Sequence, residues 1–239
     1  MMLLAAQEMH GRFNINNLVI NGVVDNKQVE IFQRLLENLE LDPNLVWPLV
    51  DWLDTNDELI GPLGAENDSY SQLTPPYRPA NQPMINPDEL AAVQGYTPPV
   101  LAALVGHVVA LPVLRAGTPT ATLINVNFIT EPLLLSLSVK MASAAVEAVL
   151  QEATDDGFNS VNDFLNAIND ANPYVNGLSS SIDRTLLSVQ SEYFLLEYQG
   201  GFEPVVLKSH SIMHRDSDAK VRIINRAQGE YYSVTTAIY

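Results

Sequence analysis

Cysteine is absent from the 239 residues of this sequence. Its absence excludes disulfide bonds, zinc sites built on thiolates and catalysis by a thiol nucleophile. It leaves the compartment open, because a periplasmic or secreted protein can also lack disulfides. A second absence is that of any run of about 18 apolar residues, so the sequence as given predicts no membrane-spanning helix.

Basic residues are scarce. The chain has 12 Lys and Arg against 28 Asp and Glu, which gives a formal net charge of -16. Nucleic-acid binding is disfavoured, because the phosphate backbone requires a basic protein face. The acidity instead fits a protein that binds cations or a basic partner surface. Hydrophobic residues make up 47% of the chain, which is enough to bury a core, so extensive disorder is not expected.

The common catalytic motifs are also missing. The sequence contains no GxSxG, HExxH, phosphate-binding loop or GxGxxG pattern. Paired carboxylates can hydrolyse glycosides, but such pairs arise by chance in any chain this acidic. A periplasmic acidic hydrolase or sugar-binding module that uses paired carboxylates is therefore kept as an alternative function.

Charge and pattern divide the chain into two parts. Residues 1–170 hold 21 acidic and 6 basic residues, whereas residues 171–239 hold 7 and 6. Apolar residues at helical spacing dominate the first part, and the later residues alternate as in antiparallel strands. The strand-like segment Phe13–Ile20 is expected to join the C-terminal sheet, because a lone strand is unstable. The predicted fold is α+β, with residues 1–22 and 171–239 in a sheet-containing domain and residues 23–170 in an inserted helical domain.

The predicted helices begin at the N-terminus, where helix formers fill the residues before Gly11 and indicate the last turns of a helix. Further helices are predicted over 29–39, from Pro87 to Gly95, from Pro98 to about Val109, over Glu131–Ala153 and over Val161–Ile168. Strands are predicted over Ser191–Tyr198, Pro204–Met213, Lys220–Asn225 and Tyr231–Tyr239. The turn at Gly95 resembles a helix-hairpin-helix, but no Lys or Arg falls between Arg78 and Arg115 to meet phosphate, so it is interpreted as a packing unit.

Six acidic residues, without a single Lys or Arg, crowd the segment from Asp51 to Asp68. Uncompensated carboxylates repel one another, so a compact arrangement needs a cation or open solvent. Asp51 and Asp54 share one helix face, and Asn56 follows at a spacing typical of calcium loops. Oxygen donors without His or Cys favour a hard ion such as calcium, although the full EF-hand pattern is missing. The spacing leaves two interpretations open, a calcium-binding loop or a solvated and disordered acidic loop.

Several short segments resemble the K-type minor pseudopilin of the bacterial type II secretion system, also called general secretion pathway protein K. They occur in the same order along nearly the whole chain. The segments that carry the resemblance are Arg12–Leu18, Asp51–Asn56, Gly64–Tyr70, Pro75–Tyr77, Asn81, Asp88–Leu90, Val93, Gly95, Ile124–Asn127, Ser191–Phe194, Arg215 and Arg226.

The resemblance implies a pilin-like fold, in which an N-terminal helix and an antiparallel sheet carry a large inserted all-α domain. It also implies a precursor with a membrane-spanning N-terminal helix. That helix is absent from the sequence as given, which is expected to be a soluble form. The present residues are then expected in the periplasm, on a protein attached to the bacterial inner membrane only through the missing helix.

The function implied by the resemblance is non-enzymatic. The protein is expected to assemble with I-type and J-type minor pseudopilins at the tip of the pseudopilus and to support protein export across the outer membrane. Secreted substrates are further candidate partners. The resemblance also implies calcium binding near the acidic loop. The ligands carried over by position are Asp51, Asp54, Asn56, Glu66 and Asn81.

Overall fold

The computed structural model describes residues 2–61, 63–115, 118–141, 143–202, 205–229 and 231. The helices are α1 (Asn26–Asn38), α2 (Val46–Leu53), α3 (Asn67–Ser71), α4 (Pro98–Leu104), α5 (Glu131–Ser136), α6 (Ser143–Asp155) and α7 (Val161–Ala171). The strands are β1 (Met2–Glu8), β2 (Phe13–Asn14), β3 (Val19–Ile20), β4 (Val23–Val24), β5 (Val108–Val109), β6 (Leu114–Arg115), β7 (Thr118–Pro119), β8 (Ile124–Asn125), β9 (Leu187–Ser188), β10 (Tyr193–Phe202), β11 (Val205–Arg215) and β12 (Val221–Gln228). Short 3-10 turns lie at Ile15–Leu18, Pro43–Leu45, Pro87–Ala92, Ser179–Ser181 and Arg184–Leu186.

A four-stranded antiparallel sheet, in the order β1-β10-β11-β12, brings together the two ends of the chain. Ala5 lies opposite Glu197, and Leu195 lies opposite Ile212. Helices α1 to α7 all lie between β1 and β10 in sequence, so they form an insertion between two neighbouring strands of this sheet. The α+β class is confirmed. The insertion also contains two-residue strands that were not predicted, such as the parallel pair β2 and β5.

The first residues of the chain depart from the prediction. The helix expected there is wrong, because Met2–Glu8 form strand β1. Strand β1 pairs with β10 along its whole length, from Met2 opposite Gly200 to Glu8 opposite Phe194. Helix propensity is a weak local preference. It is outweighed here because β10 would otherwise present an open row of backbone donors and acceptors.

The segment Phe13–Ile20 does not join this sheet, so that prediction is also wrong. Its first two residues form β2, which pairs with β5, and its last two form β3, which pairs with β4. At the end of β2, the buried side chain of Asn14 accepts hydrogen bonds from the backbone N–H groups of Asn16 and Leu111. Such side-chain bonds compete with a strand ladder and turn the chain into the 3-10 turn Ile15–Leu18.

Helix α1 follows the predicted apolar stripe, and this prediction is confirmed. Asp25 caps the helix by accepting hydrogen bonds from the backbone N–H groups of Lys27 and Gln28. The Phe32 ring is fully buried and stacks on Phe13, with the ring centroids 5.1 Å apart. The apolar side chains buried on the inner face of α1 are Val29, Ile31, Phe32, Leu35 and Leu36.

Two of the predicted helices are shorter than expected. The helix predicted over Glu131–Ala153 is divided into α5 and α6. Ser138 lies at the break, where its hydroxyl accepts a hydrogen bond from the backbone N–H of Lys140 and so competes with helical bonding. Helix α4 ends at Leu104 rather than near Val109, because the chain turns and forms β5.

The C-terminal strands follow the predicted alternation, and β10, β11 and β12 confirm the strands predicted between residues 191 and 225. The strand predicted over Tyr231–Tyr239 lies outside the described residues, apart from Tyr231. The sheet is buried where it meets the insertion, at Tyr193, Leu195 and Ile212. Within the described ranges, no helix combines the length and the apolar character needed to cross a membrane.

Candidate metal centre

Three carboxylates come together where α2 ends and α3 begins. Asp51 lies in the last turn of α2, Asp54 follows the last residue of that helix, and Glu66 immediately precedes α3. One oxygen from each residue lies within 4.8 Å of the others. All three residues are buried, with exposed fractions of 0% for Asp51, 2% for Asp54 and 4% for Glu66. Among the residues that the structure describes, this is the one group of His, Cys, Asp or Glu side chains at metal-binding separation.

The local sequence folds the loop over these carboxylates. The spacing of Asp51 and Asp54 places both side chains on the same side of the helix end. At Asp54 the backbone becomes extended, with φ of -77° and ψ of 174°, and the carboxylate accepts the N–H of Asn56 at 3.1 Å. Oδ1 of Asp51 accepts the N–H of Ile60, also at 3.1 Å. The loop after α2 is therefore held against the carboxylates by its own backbone N–H groups.

Three other oxygens of the cluster lack hydrogen-bond partners. Oδ2 of Asp51 and both carboxylate oxygens of Glu66 are buried without a hydrogen bond. An unsatisfied buried polar group costs about 1–3 kcal/mol, and more when it is charged. Three carboxylates without His or Cys form the donor set that hard cations such as calcium prefer. The residues present therefore fit a divalent cation, which would give these oxygens the partner that the protein does not supply.

Burial and repulsion both disfavour the ionised forms of the cluster. Burial, and then the charges of Asp51, Asp54 and Asp57, raise the pKa of Glu66 to about 7. Burial is also the main cause that raises the pKa of Asp51 and the pKa of Asp54. The fold thus holds three acids together at an electrostatic cost. A bound divalent cation would offset this cost, because it is the largest local charge in such a site.

Gly64 leaves room beside the cluster. A β-carbon placed on Gly64 would overlap Oδ2 of Asp51, which is one of the oxygens without a hydrogen-bond partner. Gly64 was not among the predicted site residues. The available signal was its position two residues before an acidic candidate ligand, in a loop where a backbone must approach a ligand closely.

Aromatic contacts fasten the loop that carries Glu66. The Trp52 ring packs edge-on against Tyr70 with centroids 5.3 Å apart, and Tyr70 packs against Tyr77 at 5.4 Å. The Tyr70 hydroxyl accepts the N–H of Gln94 at 3.2 Å, and burial raises the pKa of Tyr70 to about 12. These rings were also missed, although Trp52 directly follows Asp51 in the sequence. They fix α3 to α2 and so fix the separation between Glu66 and the two aspartates.

The two amide residues predicted as ligands are placed differently. Asn56 is exposed, and its side-chain oxygen already accepts the N–H of Glu58 at 2.7 Å. Asn81 has a positive φ of 47°, and its Nδ2 donates to the backbone oxygen of Asn56 at 3.3 Å and to Oδ1 of Asp57 at 3.1 Å. Oδ1 of Asn81 is buried without a partner. Asn81 therefore offers an unpaired oxygen beside the loop, and both amides stay predictions as ligands.

Comparison with known proteins gives consistent matches along the chain. Two family models, both described as type II secretion system (T2SS), protein K, match residues 11–113 and 124–190. The candidate ligands all lie within the first match. The chain is 31% identical to type II secretion system protein K of Pectobacterium carotovorum subsp. carotovorum, over 93% of this chain and 68% of that protein. It is 29% identical to the protein of that name from Aeromonas hydrophila, over 93% of this chain and 69% of that protein.

A solved structure has a similar fold. It is the crystal structure of the GspK-GspI-GspJ complex from enterotoxigenic Escherichia coli, with a TM-score of 0.77 and 23% sequence identity. The match covers 96% of this chain and 80% of the matched chain. At this identity the likeness establishes a shared fold, and it agrees with the α+β class described above.

Proposed function

The chain belongs to the type II secretion system protein K family, whose members are minor pseudopilins, and we propose that it is a non-catalytic assembly subunit whose helical insertion is fixed by a calcium ion. Its proposed position is the tip of the pseudopilus, where it supports protein export across the outer membrane. The described residues would lie in the periplasm, on a protein anchored in the inner membrane.

The proposed partners are the I-type and J-type minor pseudopilins. The solved structure with a similar fold is that of a GspK-GspI-GspJ complex, which supports this choice of partners. The insertion between β1 and β10 supports the tip position, because it is much larger than the sheet that it interrupts. In the proposed arrangement the insertion faces the end of the filament. Its bulk would leave no room for another subunit above it, so the chain would be the last subunit.

Mixing this chain with the soluble domains of the I-type and J-type proteins tests the proposed assembly. We expect a ternary complex that elutes as one species in size-exclusion chromatography, with the summed mass by light scattering. Each pairwise mixture serves as a control for the order of assembly. Three separate species at micromolar concentrations would contradict the proposal.

The buried cluster of Asp51, Asp54 and Glu66 is the observation that carries the calcium proposal. Three observations favour a cation there: buried oxygens of the cluster without a hydrogen bond, the raised pKa of Glu66 and the space left by Gly64. The three carboxylates would hold the ion, and Oδ1 of Asn81 is a further candidate ligand. When bound, the ion would neutralise the cluster and cross-link α2 to the start of α3.

Elemental analysis and chelation test this site. We expect about one calcium per chain after dialysis against calcium, and a lower melting temperature in EGTA. Asp51→Asn is expected to abolish the calcium-dependent rise in melting temperature. The matched control is Asp68→Asn, which removes one exposed charge from the first turn of α3 and is expected to retain the rise. An unchanged melting curve in EGTA, together with no bound calcium, would contradict the proposal.

The alternative function, a hydrolase or sugar-binding module with paired carboxylates, finds no support at this cluster. Glycoside hydrolysis requires two carboxyl groups that flank a bound substrate. Asp51, Asp54 and Glu66 are instead all buried and covered by the loop that follows α2. An assembly role for the site is therefore preferred over a catalytic one.

A further inference from the structure

A buried histidine joins the sheet to the helical insertion, away from the carboxylate cluster. His10 lies just after β1 and is 4% exposed. Its backbone oxygen accepts the N–H of Asn125 in β8. Its ring stacks on Tyr193 at the start of β10, with centroids 5.6 Å apart and an interplanar angle of 18°. His10 therefore contacts the sheet on one side and the segment that leads into α5 on the other.

Both ring nitrogens of His10 lie within hydrogen-bond distance of the backbone, one near an acceptor and the other near two donors. Nδ1 lies 2.8 Å from the backbone oxygen of Leu123, which can only accept a hydrogen bond. Nε2 lies 3.3 Å from the backbone nitrogen of Glu192 and 3.2 Å from that of Tyr193, which can only donate. The neutral tautomer with its proton on Nδ1 is the one state that satisfies all three contacts. A proton on Nε2 would face two N–H donors.

The charged surroundings of His10 come from the sheet side. The titratable and charged groups near the ring are Glu8 of β1, Glu192 and Tyr193 at the start of β10, and His214 and Arg215 of β11. Residues 120–125, on the other side, include no charged side chain. Glu8 is held in place because its carboxylate accepts the backbone N–H of His10 at 2.5 Å.

These surroundings favour the neutral ring. Burial is the largest influence and lowers the pKa of His10 below its ordinary value of 6.5. The hydrogen bond to Leu123 and the charges of Glu8 and Glu192 oppose this effect, whereas His214 adds to it. While the His10 ring is buried in these contacts, it disfavours a second proton. Once the contacts open and the ring meets water, His10 binds that proton more readily.

We propose that His10 is an acid-sensitive latch between the sheet and the helical insertion. Protonation of Nε2 releases the N–H groups of Glu192 and Tyr193 and detaches the start of β10 from the segment at Leu123. The stability that the latch contributes is complete above pH 6.5 and is lost as the pH falls below that value, because the opened histidine then gains a proton. Acidification would thus loosen the insertion without unfolding it.

Hydrogen exchange on the full chain measures the latch directly. Protection factors, corrected for intrinsic exchange, are compared at pH 7.5 and pH 5.5 for the amides of Glu192 and Tyr193. We expect protection to fall by up to about tenfold, the limit set by an open state that titrates one pH unit above the measurement. Amides in the middle of α1 serve as the internal reference and are expected to keep their protection.

A substitution separates the latch from general acid sensitivity. His10→Gln retains a donor and an acceptor but cannot titrate, so its protection at Glu192 and Tyr193 is expected to be the same at both pH values. The matched control is His214→Gln, which removes a nearby, less buried histidine and is expected to retain the pH response.

The wild-type chain keeps the proposal testable even where His10→Gln fails to fold. Nitrogen-15 NMR of the His10 ring at pH 7.5 is expected to report a proton on Nδ1 alone. A proton on Nε2 at that pH, or equal protection of both amides at the two pH values, would overturn the proposal. A pH response that persists in a folded His10→Gln variant would overturn it as well.

Discussion

Replacement of Glu66 by Gln is expected to stabilise the calcium-free protein and to destabilise the calcium-loaded protein. Without a cation, burial and the neighbouring aspartates raise the pKa of Glu66 from 4.5 to about 7. At pH 8 the folded protein therefore holds an ionised group that its surroundings disfavour. Glutamine has nearly the same shape and carries no charge, so it removes this cost.

The size of the effect follows from the change in pKa. The rise from 4.5 to about 7 corresponds to about 3 kcal/mol at most, and relaxation of the protein around the buried charge reduces the expectation to about 1–3 kcal/mol. The pKa of Glu66 is higher in the folded protein than in the unfolded chain. The protonated carboxyl of Glu66 therefore contributes stability that is fully present below pH 4.5 and is lost as the pH rises through about 7. At roughly 2–4 °C per kcal/mol, Glu66→Gln should melt several degrees above the wild type in EGTA at pH 8.

With calcium in excess, the order is expected to reverse. A ligand at 1,000 times its dissociation constant adds about 4.1 kcal/mol to the wild type, which exceeds the advantage of the variant in EGTA. Glutamine replaces two carboxylate oxygens with one neutral oxygen, so the variant loses most of this gain. The assay is thermal unfolding of both proteins in EGTA and in calcium at pH 8, with Asp68→Asn as the control. A Glu66→Gln shift of the same sign and size in both buffers would refute the reasoning.

Three further substitutions test the packing around the site and in the insertion. Gly64→Ala is expected to cost about 1–3 kcal/mol and to remove the calcium-dependent rise in melting temperature, because its β-carbon overlaps Oδ2 of Asp51; a variant that keeps the full rise would contradict the fit. Phe32→Ala empties a fully buried position stacked on Phe13 and is expected to lower the free energy of unfolding in urea by about 3–5 kcal/mol. Asp25→Ala removes the cap of α1 and is expected to cost about 1 kcal/mol in the same assay, whereas Asp25→Asn should retain most of the stability.

Periodic patterns in the sequence predicted the elements whose own residues determine them. The apolar stripe predicted helix α1 over 29–39 and its buried face, whereas its start at Asn26, after the capping residue Asp25, was not predicted. Strand β1 has no such signature. Met2–Glu8 consist largely of helix formers and become a strand only because β10 lies alongside. Partners that are distant in sequence decide such segments, and a single sequence does not identify them.

The candidate site was predictable to a similar degree. The spacing of Asp51 and Asp54 indicated that both side chains share one side of a helix end, and the structure places them there. Glu66 came from the family resemblance, because nothing in the spacing shows that the loop returns to the helix end. The return depends on Tyr70 packing against Trp52 and on Ile60 donating to Asp51, which are contacts between separated residues.

The absence of cysteine gives the carboxylate cluster a structural meaning. Between α2 and α4 the chain forms regular structure mainly in the five residues of α3 and in the 3-10 turn Pro87–Ala92. Segments with so little regular structure lose much conformational entropy on folding and need a cross-link or a core to hold them. Disulfides are excluded here, so the loop is held by hydrogen bonds and by packing such as that of Trp52 against Tyr70. An ion bound by Asp51, Asp54 and Glu66 would add a cross-link, and its binding energy would then contribute directly to the stability of the folded insertion.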